Sequence, residues 1–360
     1  DRPGVVSGAV PPRPLVLHVN EGDCIRVDLA NATAGPVSFH ADMLAFDPMG
    51  SGGVAAGRNP PQAVPPGQQR TSTFYAHPEV GETVALVRDW GNVLVNPGLG
   101  LYGAIVVGPR AARFRDPVTG ADASVSSSWR VDVLPTDGEP YRDFTLLFQD
   151  EDEGLANHRM PYTTEVRGTV GLNYRAAPLV DRLRANPDPG LVYSSDVHGD
   201  PDTPLLEAVA GDAVRVHVLA PWSEQSQVFS VESHRWPAEP GRRGTPLVGS
   251  VKVGGMEALT LRLDGGAARL AGDYLYGAHR EPYREAGLWG ILRVRERAGT
   301  KGGASLLALP CEAACPAGRA GDFAPWFSLA ALVALVAFGA VLRRRSRAGT
   351  ARYERPVIPP

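Results

Sequence analysis

Thiolate and imidazole are the side chains that hold a redox metal such as copper, because backbone and hydroxyl groups bind it too weakly and cannot tune its potential. In this 360-residue chain such side chains are eight histidines and three cysteines, scattered along the sequence, with His279 inside the stretch GDYLYGAHREPYREAGLWGILRV at 272–294. An acidic run, Asp150-Glu151-Asp152-Glu153 with His158 nearby, has the oxygen-rich character of a site for a hard cation such as calcium, against which stands the ordinary reading of a solvated loop. Of the three cysteines, Cys311 and Cys315 are spaced to close a small disulfide loop in an oxidising compartment. Cys24 lies in a strand pattern and is expected as an inert buried thiol. Asn31-Ala32-Thr33 matches a glycosylation acceptor, a tripeptide common by chance. Hydrolase and nucleotide-binding readings have no support, since G-x-S-x-G, P-loop and H-E-x-x-H patterns are missing from the sequence.

The elements that would carry these residues repeat along the chain. Residues 15–29, LVLHVNEGDCIRVDL, read as strand, tight turn, strand, and 206–219, LEAVAGDAVRVHVL, read the same way. Each is followed by a short strand (VSFHAD at 37–42, VFSVES at 228–233) and then by an alternating one (QQRTSTFYA at 68–76, MEALTLRL at 256–263). Each ends on a matched pair, GLYGAIVV at 100–107 and GLWGILRV at 287–294. The interval is 78 residues from Gly22 to Gly100 and 76 from Gly211 to Gly287, so the chain holds two copies of one β-sandwich. With 41 Gly and 33 Pro the composition suits many turns between short strands, and 43% hydrophobic residues can supply two cores. A formal charge of −3 leaves no basic footprint, which argues against a nucleic-acid partner.

Beyond the second copy, 326–342, WFSLAALVALVAFGAVL, is uncharged and runs into Arg343, Arg344, Arg345 and Arg347. At 1.5 Å per residue it spans roughly 25 Å, close to a bilayer core once flanking side chains snorkel. The arginines place the C-terminus in the cytoplasm and the sandwiches outside it. The chain starts at Asp1 with no initiator Met or signal peptide in view, so a cleaved or omitted upstream piece is expected.

The 272–294 stretch resembles the closing strand, loop and final strand of a cupredoxin domain of the multicopper oxidases, and the resemblance extends over most of 12–297. It implies an all-β fold, two tandem cupredoxin-like Greek-key β-sandwiches, with one C-terminal transmembrane helix added by the hydropathy. The expected boundaries are a first domain at 1–115, a linker at 116–139, a second domain at 140–297, a stalk at 298–325, the membrane helix at 326–342 and a cytoplasmic tail at 343–360. Where the family carries His-Cys-His, this chain has Gly277-Ala278-His279, with Tyr283 and Leu288 at the next His and Met positions. In the first copy His40-Ala41-Asp42 stands for His-x-His, and neither histidine of the later pair survives in Val87-Arg88-Asp89-Trp90. In the second, Gln227, Ser230 and Glu232 stand at histidine positions, followed by His234.

Two arrangements follow from the resemblance. In one, His40, Asp42, Glu232, His234 and His279 converge between the domains on a single metal ion, copper being the candidate cofactor. In the other, preferred here, His40 and His279 are buried, hydrogen-bonded relics and Asp42 pairs with Arg88 or Arg280. The functional expectation is a membrane-anchored, extracytoplasmic protein with degenerate copper sites, acting as a binding or assembly module or as the non-catalytic half of a longer oxidase. The alternative is an active copper-dependent oxidoreductase, a metal-ion or phenol oxidase, using an altered interdomain site or sites completed by upstream domains or another subunit. A homotrimer is an option because related two-domain oxidases close three-chain rings.

Overall fold

Gly22 sits at φ 89°, a conformation open to glycine, and turns the chain sharply between the strands Leu15–Asn20 and Cys24–Ala30. In the computed structural model these two strands do not pair with each other, as a hairpin would. Leu15–Asn20 runs parallel to Tyr102–Gly108 in one sheet, while Cys24–Ala30 runs antiparallel to Gln69–Tyr75 in another. The turn is therefore a corner between the layers of a sandwich: the strand, tight turn and strand expected over 15–29 are present, with the two strands in different sheets. The second copy repeats the device: Leu206–Val209 is parallel to Trp289–Arg295, and Val214–Ser223 is antiparallel to Ala258–Arg262. Duplication is thus a matter of topology as well as of sequence.

The structure describes residues 12–150 and 170–296, except 94, 125 and 224, together with residues 4, 7 and 9. Both copies lie in one compact unit, residues 1–298. The first copy has a four-stranded sheet, ordered Leu15–Asn20, Tyr102–Gly108, Thr83–Arg88, His40–Ala41, facing a three-stranded one. The second has a five-stranded sheet, closed by Gly272–Ala278 between Gln227–Val231 and Trp289–Arg295, facing a six-stranded sheet. Tyr141–Asp150 enters that larger sheet parallel to Val214–Ser223. The segment 116–139, expected as a linker, supplies the strand Arg130–Leu134 to the same sheet, because its alternating valines find a partner in Tyr141–Asp150. No helix among the described residues is long and apolar enough to cross a membrane; the expected span at 326–342, the stalk and Cys311 and Cys315 lie outside them.

Two strands of the first copy are unusual in being apolar at every step, VALV within Thr83–Arg88 and AIVV within Tyr102–Gly108. Successive side chains leave a strand on opposite faces, so such a run needs cover on both sides. Ala85, Val87, Ile105 and Val107 join Phe39 and Phe74 in the core of the first sandwich. Val84, Leu86, Ala104 and Val106 turn the other way and pack on Leu147 and Leu219 of the second copy. The halves are thereby joined by a shared apolar layer, which the hydroxyl of Tyr102, donating to Gln149 Oε1 at 2.7 Å, and the Arg215–Glu82 ion pair reinforce.

Inside this layer lies a polar group of three. His18, Asp143 and His217 are 4%, 1% and 2% exposed. The Nε2 of His217 lies 2.9 Å from Asp143 Oδ1, and its Nδ1 lies 2.9 Å from the hydroxyl of Thr260. His18 comes from the first copy, its ring 5.3 Å from that of Phe114.

Candidate functional site

His40 opens the short strand His40–Ala41 and faces Arg88 across the sheet, so the ladder itself brings imidazole and guanidinium together. Its Nδ1 donates to the carbonyl of Gly52 at 2.8 Å, and its Nε2 lies 3.1 Å from Asp42 Oδ1. Arg88 Nη2 donates to the same oxygen at 2.5 Å, while the guanidinium lies over the ring of Trp90, 4.7 Å from its centroid. Burial alone would raise the carboxyl of Asp42, but hydrogen bonds from His40 and Arg88 and the Arg88 charge outweigh it and hold the group below the usual carboxylate range. A histidine ligates through a free ring lone pair. Here both ring nitrogens are engaged, and the neighbour that engages the carboxylate is a permanent cation, which opposes a metal ion on the same spot.

Asp89, next in the chain, is a structural hub that the sequence reading missed. Its buried carboxylate accepts from the backbone N–H groups of Ser38 (2.6 Å), Gly91 (2.8 Å) and Asn92 (3.2 Å) and from Asn96 Nδ2 (2.8 Å). The signal was the Asp-x-Gly-Asn spacing, an Asx-turn pattern. Asp89→Ala is expected to cost about 2 kcal/mol or more, since the donors lose a charged acceptor, and a chemical-denaturation midpoint measures it.

In the second copy the positions that the resemblance assigns to ligands are taken up in other ways. Gly277 is held at φ 142°, and a Cβ there would stand 2.4 Å from the carbonyl oxygen of Leu288 and 2.6 Å from Trp289 Cα. Only glycine fits, so an imidazole has no room at the position the resemblance assigns to one. Ala278, Tyr283 and Leu288 are built into the main apolar core. His279 is exposed rather than buried, and its Nε2 is paired with the hydroxyl of Ser230. Gln227, fully buried, donates to Asp150, which also accepts from Ser223 Oγ at 2.7 Å. Gly277→Ala is expected to cost about 2–3 kcal/mol through backbone displacement, read as a lower urea midpoint.

Glu232 is exposed, and its carboxylate accepts from Leu275 N–H at 3.3 Å. His234 is a satisfied core residue: Nδ1 donates to the carbonyl of Glu232 at 2.7 Å, and Nε2 accepts from Ala268 N–H at 3.0 Å. Burial lowers its pKa, against the smaller opposing effect of the hydrogen bond to Glu232. Among the described residues no three His, Cys, Asp or Glu side chains are grouped to hold a metal ion, so only His40 and Asp42 of the five candidates are brought together, and Asp42 takes Arg88, not Arg280, as its partner. The donors present do not fit a mononuclear blue site or a trinuclear cluster.

Three smaller expectations change. Cys24 is exposed, because Cys24–Ala30 alternates and places Cys24 with Arg26 and Asp28 on the outer face. Asn31 is buried: its Nδ2 donates to the carbonyls of Gly35 (2.8 Å) and Val64 (2.7 Å), so the amide is not presented for glycosylation. Of the acidic run only Asp150 lies among the described residues, and it is buried, not solvated; Glu151, Asp152, Glu153 and His158 lie outside them.

Paired sandwiches, each with a parallel first-to-last strand contact, define a tandem cupredoxin-type fold. Solved structures carry the same fold at low identity. One described as a multicopper oxidase is 17% identical with a TM-score of 0.50, covering 79% of this chain and 79% of its own. The copper nitrite reductase of Nitrosomonas europaea is 16% identical with a TM-score of 0.51, covering 79% of this chain and 84% of its own. No family model and no curated protein matches the sequence.

Proposed function

We propose that this chain is a multicopper-oxidase-like protein with degenerate copper sites, held at a membrane by residues 326–342 with both sandwiches outside the cytoplasm. It serves as a binding or assembly module, or as the non-catalytic half of a longer oxidase. The observation that carries this reading is the closure at Gly277, where the backbone of Leu288 and Trp289 fills the space an imidazole would need. The Arg88–Asp42 pair supports it from the other half, since a guanidinium already satisfies the carboxylate.

Loading the purified chain with copper, zinc or manganese, followed by dialysis and elemental analysis, is the direct test. The expected result is metal at trace level, with no blue absorption band and no oxygen uptake on ferrous or phenolic substrates. Stoichiometric copper with oxygen consumption would establish the oxidase alternative instead. Release from membranes only by detergent is the expected behaviour of the anchor, and sizing of the solubilised protein distinguishes a trimer from a monomer.

A further inference from the structure

Three arginines from three different strands line one cavity of about 330 Å³. Arg130 comes from Arg130–Leu134, Arg142 from Tyr141–Asp150 and Arg295 from the end of Trp289–Arg295. A single carboxylate, Glu207, faces them within the cavity. Its Oε1 is taken by Arg295, whose Nε lies 3.2 Å away, and its Oε2 is approached by Arg130 Nη1 only at 3.7 Å. Arg142 is fixed by Asp132 Oδ1 at 2.8 Å and by the carbonyl of Glu207 at 2.9 Å. Asp132 also serves Arg115 at 3.3 Å, and the Asp116 carboxylate is close enough to Arg130 to interact with its charge, so the neighbourhood holds four guanidinium groups against three carboxylates. By contrast, Arg293 is fully countered by Asp200 and Asp273.

An excess of guanidinium groups in and beside a concave site favours an anion, and the guanidinium fork matches the oxygens of a phosphate. Arg130 has donors to spare, and its guanidinium is held in place over the ring of Trp129, 5.3 Å from the centroid. The rest of the wall is apolar, with Val118 and Val209 among its residues. Pockets of this size hold a small molecule rather than a bare ion.

We propose that this cavity binds a phosphate monoester, with Arg130 and Arg295 on the phosphate and Val118 and Val209 against the attached carbon skeleton. The site is independent of the copper positions, and it stands or falls apart from the functional reading above. Free phosphate esters and the headgroup of a phosphatidate share this chemistry.

Calorimetric titration of the full chain in neutral detergent with glycerol 3-phosphate and with dihexanoyl phosphatidate, with glycerol and dihexanoyl phosphatidylcholine as controls, tests the proposal. Saturable binding of a phosphate probe with a Kd of about 1 mM or tighter is expected, and Arg130→Gln should weaken it by about tenfold, the loss of one charge-assisted contact. Arg242→Gln, which breaks an exposed pair with Glu239 elsewhere, should leave binding unchanged. Phosphatidate binding at least about tenfold tighter than glycerol 3-phosphate would identify a lipid headgroup; equal affinities would identify a free ester. If Arg130→Gln lowers the yield of folded protein, Arg295→Gln, at an exposed strand end, takes its place. Absence of saturable binding by both probes, or binding that neither arginine variant weakens, overturns the proposal.

Discussion

His217→Leu is expected to destabilise the protein by about 3–5 kcal/mol, the cost of leaving a buried carboxylate without its partner. Asp143 is 1% exposed and the His217 ring is its neighbour through both carboxylate oxygens, at 2.9 and 3.0 Å. Leucine conserves much of the volume, so the loss is chiefly electrostatic, with a smaller part from the Thr260 hydroxyl. The denaturant midpoint should fall while the slope of the transition holds. Replacing both members, Asp143→Leu with His217→Leu, should recover most of the loss, because an apolar pair in an apolar layer needs no compensation. A double-mutant cycle that returned additive losses would refute the coupling.

The second large effect is a loss of stability in mild acid. Burial drives the pKa of His18 down to about 4; the Asp143 charge opposes that shift and His217 adds to it. The unfolded imidazole titrates near 6.5, so between about pH 6.5 and 4 the unfolded chain binds a proton that the folded chain refuses. Stability is therefore fully present above about pH 6.5 and falls as pH is lowered through that window, by about 3 kcal/mol in all. Buried His234 works in the same direction. Asp42, whose pKa is lowered, contributes stability that is lost only at more acidic pH, below the unfolded carboxylate value, so the two contributions separate along the pH axis. His18→Leu should flatten the pH 4 to 6.5 limb of the melting-temperature profile without abolishing it. An unchanged profile in that variant would show that the slope arises elsewhere.

The architecture was legible because strand pairs such as GLYGAIVV and GLWGILRV recur with their glycines at a constant interval. A repeated β-unit advertises itself through period and punctuation, both properties of local sequence. Whether Gly22 makes a hairpin or a corner was not legible, because the two share their residues; only the strand partners, 88 residues away in the case of Leu15–Asn20, tell them apart. The strand Arg130–Leu134 was lost in a loop-like surround of Asp, Ser and Pro. At the candidate site, the missing histidines could be read directly, and so could the Arg88 alternative for Asp42. What could not be read was that backbone fills the place of a side chain at Gly277, because the obstruction comes from Leu288 and Trp289, on the other side of a short helix, Glu281–Glu285. The buried His18, Asp143 and His217 escaped notice for a related reason. Each looks like the polar member of an alternating strand until the other half covers that face.

The shared apolar layer has a consequence for biosynthesis. Val84, Leu86, Ala104 and Val106 leave the ribosome well before Leu147 and Leu219, their cover in the finished molecule. For that interval the leading sandwich presents a sticky flank, a substrate for chaperones and a hazard for self-association. Production of the leading half by itself would leave that flank bare for good, so the two sandwiches are bound to mature as one piece.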